Sequence, residues 1–149
     1  MDLRELHREI ILDHARRPRH RGACAGETHG AAAENPACGD EVALHLRVNA
    51  ARRIEEATFT GQGCALSQAS ASLLAARLRG RTVAEALATA TQVRRLLAGE
   101  GLAAEEREAL GDLGALGGAA EFPQRVQCAS LAWQALERAL GGAVDEPAT

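Results

Sequence analysis

Residues 35–64 read NPACGDEVALHLRVNAARRIEEATFTGQGC. Within them Val42, Leu44, Leu46 and Val48 alternate with Ala43, His45, Arg47 and Asn49, the period of two of a strand with one buried face. The spacing predicts a strand over Glu41–Asn49 and a second around Ile54–Thr60. The second slips phase between Ile54 and Phe59, as a bulge would make it. Two strands this close in sequence pair antiparallel. Their hairpin carries Cys38, just ahead of the first strand, and Cys64, just after the second, to the same end of the sheet.

The flanks read as helix. Asp2 and Glu5 form a capping box, Leu3, Leu6, Ile10 and Ile11 make an apolar stripe, and Pro18 stops that helix by Arg17. Residues 19–37 are rich in Gly and Ala and read as a loop with room for a short strand. Helices are expected from Ser67 to Arg79, from Thr82 (boxed with Glu85) to Gly99, and over 103–110. A flexible Gly-rich stretch, LGDLGALGG, follows. Pro123 suits the first turn of a last helix, which ends at Gly141–Gly142, and the tail over 143–149 is expected to fray. No internal repeat or linker divides residues 1–149. The expected fold is α+β: a small antiparallel sheet of about three strands packed against several helices.

Composition narrows the class. Of 149 residues 33 are Ala and only Phe59, Phe122 and Trp133 are aromatic, so the core must be Leu and Val packed on Ala. All 17 basic residues are Arg; without Lys there is no Schiff-base chemistry and no P-loop lysine. A net charge of −3 argues against a nucleic-acid footprint over the whole chain. No apolar run approaches a membrane span, and the acidic start MDLRELHREI lacks the marks of a signal peptide. A cytoplasmic, reducing setting is expected, in which four scattered cysteines are thiols or metal ligands rather than disulfides.

Each cysteine has its own surroundings. Cys24, in RGACAGE, has no reactive neighbours and reads as a packing residue. Cys38 and Asp40 stand two apart at a loop–strand junction, where extended chain points both the same way, so thiol and carboxylate can share one ion. Asp40 as a solvated turn acid is the alternative. Cys64 follows Gly61 and Gly63 and precedes the next helix by about three residues, where the helix dipole favours a thiolate. Cys128 lies about 120° off the stripe of Val126, Ala129, Trp133, Leu136 and Leu140, away from where a packing cysteine belongs. Three thiols and a carboxylate would make a tetrahedral site, although the spacing matches no zinc finger or ribbon. Arg125, one helical turn before Cys128, either relieves the charge of such a site or is a surface arginine. A Cys–His hydrolase would need His14, His29 or His45 beside a cysteine, and none has a local signature. The basic run over 15–21 lacks interleaved aromatics and reads as a solvated or protein-docking patch.

Read as a set, these residues resemble a known family. Ile11-Leu12-Asp13-His14 with Pro18-Arg19, Asn35-Pro36-Ala37-Cys38-Gly39-Asp40, Phe59-Thr60-Gly61-Gln62-Gly63-Cys64 with Ser67 and Ala69–Ser72, Leu110-Gly111-Asp112-Leu113, and Phe122–Ala129 with Leu131 and Trp133 follow in the order seen in U-type iron–sulfur cluster assembly proteins. Within that family the chain resembles the SufU-like zinc-dependent sulfurtransferases. Gln127 stands where IscU-like scaffolds carry a His, and 63 residues separate Cys64 from Cys128, like the insertion of the SufU-like branch. The resemblance implies an IscU-like fold and a Zn²⁺ held by Cys38, Asp40, Cys64 and Cys128. It further implies catalytic roles for Cys38 and Arg125 in taking persulfide sulfur from a pyridoxal-phosphate cysteine desulfurase (SufS-like), which the protein stimulates, and passing it to downstream iron–sulfur assembly machinery. The alternatives are a scaffold on which a transient [2Fe–2S] cluster is assembled, and a zinc ion that only staples the small core. His7, in place of an aromatic residue common in the first helix, and the extra Cys24 depart from the family pattern.

Overall fold

The structure, a computed structural model, describes residues 2–141; the tail expected to fray lies outside them. Nine elements follow in order: α1 (Leu3–Arg16), β1 (His29–Asn35), β2 (Asp40–Val48), β3 (Ile54–Gln62), α2 (Ala65–Leu78), α3 (Val83–Leu97), α4 (Ala104–Leu110), a 3₁₀ segment (Gly111–Glu121) and α5 (Pro123–Leu140). The sheet is antiparallel in the order β1-β2-β3. The expected α+β class and three-stranded sheet are both present. No described helix is long and apolar enough to cross a membrane.

The alternation in β2 does what it predicts: Val42, Leu44, Leu46 and Val48 are buried. The phase slip in β3 is a bulge. Arg47 pairs with Glu56 but Val48 with Ile54, so Glu55 is the extra residue, and Ile54, Ala57 and Phe59 all reach the core. Each such large side chain taken out of water contributes about 1.5–3 kcal/mol. Residues 19–37, read as mostly loop, hold the seven-residue strand β1. Its Gly-Ala sequence carries little strand signal, and tertiary pairing decides its state: one edge hydrogen-bonds to β2, and α5 packs against it. The Arg138 guanidinium donates to the Ala32 carbonyl (2.7 Å) and so covers part of this outer strand.

The helix starts are as the sequence predicts at Asp2/Glu5 and Thr82/Glu85, both complete capping boxes. The stretch expected to be flexible, LGDLGALGG, is instead ordered 3₁₀ helix. With three residues per turn, side chains three apart eclipse, and Leu110, Leu113, Leu116 and Ala119 form one buried edge despite the glycines around them. α5 is more deeply embedded than one stripe implies. Cys128, Leu131, Ala132 and Ala135 make a second buried line beside Ala129, Trp133 and Leu136, because the helix packs on β1 and β2 as well as on α2 and α3. Small residues let the helices approach, and buried polar groups tie them. Ser70 Oγ donates to the Ala129 carbonyl (2.6 Å) and accepts from Trp133 Nε1 (3.1 Å).

α1 is fastened by His14. Ser72 Oγ accepts from the Arg19 N–H (2.8 Å) and shares a hydrogen with His14 Nδ1 (2.7 Å). Burial, reinforced by Arg19 and opposed by Asp13 and Asp112, holds His14 below the ordinary imidazole value of 6.5. The unfolded chain therefore takes up a proton before the native one does. Native stability should be full above about pH 6.5, fall as pH drops below it, and level off once the native imidazole is also charged. Urea midpoints across that range should fall less steeply for His14→Gln than for the unsubstituted chain; parallel curves would remove His14 as the cause.

Candidate metal centre

Four local features build one site at the end of the β2–β3 hairpin. The register pairs Glu41 with Gln62, so Asp40 and the Gly63-Cys64 corner lie side by side. Asp40 opens β2 and is only 3% exposed. Its Oδ1 accepts from the Cys64 backbone N–H (3.2 Å), while Oδ2 is buried with no hydrogen-bond partner among the described residues. Gly63 has a φ of +158°, and a Cβ there would stand 2.5 Å from Ser67 Oγ and 2.8 Å from the Asp40 carboxylate, so only glycine leaves the carboxylate its place.

Cys64 is itself the N-cap of α2: its Sγ accepts from the Ser67 N–H (3.4 Å). The helix therefore begins at Ala65, earlier than the Ser67 expected from sequence, because a thiol takes the place usually held by Ser or Asp. The helix dipole favours charge on that sulfur. From the other side α5 supplies Cys128, which is buried. One ligand atom each from Asp40, Cys64 and Cys128 lies within 4.8 Å of the others. Burial pushes the Cys128 thiol well above its ordinary range, and the closeness of Asp40 and Cys64 adds to the rise.

Cys38, the fourth expected ligand, stands outside this set. It is exposed on the β1–β2 loop, with its Sγ accepting from Asn35 Nδ2 (3.4 Å). Gly39, at φ +75°, forms the turn that follows. The Arg125 guanidinium stacks over the Phe122 ring at 4.5 Å. Phe122 and Arg125 line a cavity of about 960 Å³ whose wall includes Ala65 and Leu66, next to Cys64 in sequence. All four cysteines are free. Cys24 is buried, with its thiol against the Ala25 carbonyl (3.8 Å), in keeping with a packing role. His14 is held by Ser72, His29 by Thr28, and His45 by Glu27 and Thr60, and none of these bonds involves a cysteine.

Two residues that the sequence offered only as family markers meet beside the site. Asn35 Nδ2 donates to Gln127 Oε1 (3.2 Å) as well as to Cys38, linking the loop to α5 one residue before Cys128. The signals available were an Asn opening a Pro-containing turn and a polar residue beside a ligand, neither of which says that the two meet.

The donor set suits a divalent metal that takes sulfur and oxygen together. Two thiols and a carboxylate packed closely, with one carboxylate oxygen unpaired, are mutually repulsive once ionised, and a cation reverses the sign of that interaction. Asp40, Cys64 and Cys128 would supply three protein ligands to such an ion.

The fold and the site together define a small α+β domain with a thiol–carboxylate cluster at one end of its sheet. The chain belongs to the family of the NifU-like N terminal domain, which matches residues 6–129. It is 36% identical over 138 residues to the iron–sulfur cluster assembly scaffold protein IscU of Streptococcus pyogenes serotype M1, covering 93% of this chain and 84% of that one. It is 34% identical over 137 residues to the zinc-dependent sulfurtransferase SufU of Bacillus subtilis (strain 168), covering 92% and 90%. Among solved structures it is similar to one of a protein described only as hypothetical, determined at 2.3 Å (TM-score 0.83, 35% identity, 93% of this chain and 99% of that one).

Gly63→Ala should weaken zinc binding about tenfold or more, the size of effect expected when the support of a ligand is disturbed. Competition against a chromogenic chelator measures this. Equal affinity would show that the Asp40 carboxylate is not a ligand.

Proposed function

We propose that this protein is a zinc-dependent sulfur-transfer protein of iron–sulfur cluster biogenesis, which accepts persulfide sulfur on Cys38 from a pyridoxal-phosphate cysteine desulfurase and stimulates that enzyme. The carrying observation is the division of labour among the three cysteines at the sheet end. Cys64 and Cys128 are gathered with Asp40, whereas Cys38 stands apart, exposed on a turn. The name of the Bacillus subtilis relative, a zinc-dependent sulfurtransferase, supports the same reading.

Asp40, Cys64 and Cys128 would hold the ion, with Cys38 able to complete the set when no sulfur donor is present. Zinc bound there keeps its thiol ligands deprotonated and neutralises their charge. The protein's own residues do the rest. The Cys38 thiolate attacks the outer sulfur of the partner's persulfide; the new S–S bond forms on Cys38 as the partner's S–S bond breaks, and the partner leaves as a thiolate. No net oxidation or reduction takes place. The carboxylate of Asp40, fixed by the Cys64 N–H, keeps the remaining ligands in place while Cys38 is away.

Arg125 belongs to the partner-facing rim in this reading. It is stacked on the half-exposed ring of Phe122 beside the apolar cavity that Ile11, Leu66, Leu96 and Leu116 help to line. A guanidinium there steers an anionic partner surface toward Cys38.

A scaffold for a [2Fe–2S] cluster is the second reading, favoured by the scaffold names that the Streptococcus pyogenes and Thermotoga maritima relatives carry. Metal analysis and mass spectrometry separate the two. After incubation with desulfurase and cysteine, the transfer reading expects a zinc protein that gains the mass of one sulfur atom on the Cys38 peptide. The scaffold reading expects a coloured iron protein. Cys38→Ser should remain folded, retain zinc on the other three ligands and take up no sulfur. Normal stimulation of the desulfurase by that variant would overturn the transfer reading.

A further inference from the structure

We propose that the Asn35–Gln127 side-chain pair is a latch that holds the acceptor thiol of Cys38 outside the ligand cluster, leaving it open to a sulfur donor while Asp40, Cys64 and Cys128 keep the metal. This inference rests on the functional reading above and assigns Asn35 and Gln127 as positioning residues.

Asn35 is the last residue of β1, paired across the loop with Asp40, and is 9% exposed. A buried primary amide must place two N–H donors and a carbonyl, and this one places all three. Its Oδ1 accepts from the Ala37 N–H (3.2 Å). One Nδ2–H goes to Cys38 Sγ (3.4 Å) and the other to Gln127 Oε1 (3.2 Å). The Asn35 backbone carbonyl also accepts from the N–H groups of Cys38 (3.1 Å) and Gly39 (2.9 Å). One planar group thus touches the acceptor thiol and the residue next to a buried ligand on α5.

Planarity makes the coupling directional. With Gln127 taking one Nδ2–H, the other is aimed at the Cys38 sulfur. Without Gln127, only the Ala37 N–H at Oδ1 still orients the amide, and its terminal torsion is broad, so the aim of the second Nδ2–H at sulfur loosens. Hydrogen bonds to an anionic sulfur are the stronger kind, so the latch favours the outward thiolate and, after transfer, the outward persulfide. The competing position for Cys38 is that of a fourth ligand. Gly39 permits either, because its backbone is left-handed and nothing lies within 4 Å of the place a Cβ would occupy. The structure shows the outward arrangement, with the latch closed.

The test is alkylation of Cys38 by iodoacetamide, followed by peptide mapping, in zinc-loaded and zinc-free protein, with zinc stoichiometry measured on the same samples. Gln127 is exposed, so Gln127→Leu removes the acceptor without disturbing the core. In the zinc-loaded state its Cys38 should label roughly three- to tenfold more slowly than in the unsubstituted protein, the shift one hydrogen bond can supply. In the zinc-free state, where no ligand position competes for Cys38, the slowing should be distinctly smaller. Gln127→Glu keeps an oxygen at the same place and should restore the fast rate. A merely structural role for Gln127 would change both metal states together and would not be rescued by Glu. Zinc-loaded Gln127→Leu that labels as fast as the unsubstituted protein overturns the latch and leaves the transfer reading standing. A protein that takes up no zinc overturns both.

Discussion

A buried carboxylate with one oxygen unpaired organises this end of the molecule. Asp40 is enclosed, and among the described residues the one backbone group that donates to its carboxylate is the Cys64 N–H, across the strand ends. Burying an ionised acid without a countercharge is expensive, and the neighbouring Cys64 and Cys128 become anions themselves when they lose their protons. A cation resolves the conflict for all three. The β2–β3 register, the glycine at position 63 and the depth of α5 each serve to set these three groups around one point.

The core explains how so small a chain holds that arrangement. Alanine is abundant, so helices approach closely, and α5 lies against both the sheet and the helices α2 and α3. Buried hydroxyls do the tying: Ser70 joins α2 to α5 through Ala129 and Trp133, and Ser72 joins α2 to α1 through His14. The Arg94–Glu137 ion pair links α3 to α5 at the surface. Two of the three clustered ligands sit on these braced elements, at the start of α2 and in the second turn of α5. Cys38 sits on a loop held by one asparagine. Under the proposed transfer function, that division places the metal-holding groups on braced elements and the acceptor thiol on a turn.

Much of this was legible in the residues. The alternation in β2, the bulge in β3, both capping boxes and the proline start of α5 follow from local rules, and the hairpin alone implies that residues 38–40 and 64 meet. The Gly-Ala strand β1 was not legible, because its stability comes from pairing and cover rather than propensity. The 3₁₀ segment was missed because glycines read as flexibility, whereas Leu110, Leu113 and Leu116 repeat every third residue. The off-stripe position of Cys128 marked it for the site, but the structure gives a broader reason: α5 has a second buried line, and Cys128 lies on it. The resemblance to the U-type assembly proteins supplied the four-ligand set, and the geometry gathers three of those four.

The sequence by itself determined the secondary elements with strong periodicity, the hairpin that joins Asp40 to Cys64, and the family, because these depend on neighbours along the chain and on residue types at given spacings. Only the tertiary structure decided that Cys128 completes the cluster, that Cys38 stands outside it, and that Asn35 meets Gln127. Those contacts join residues far apart in sequence, up to 92 positions in the last case, and they depend on how α5 lies across the sheet. No local pattern encodes that distance.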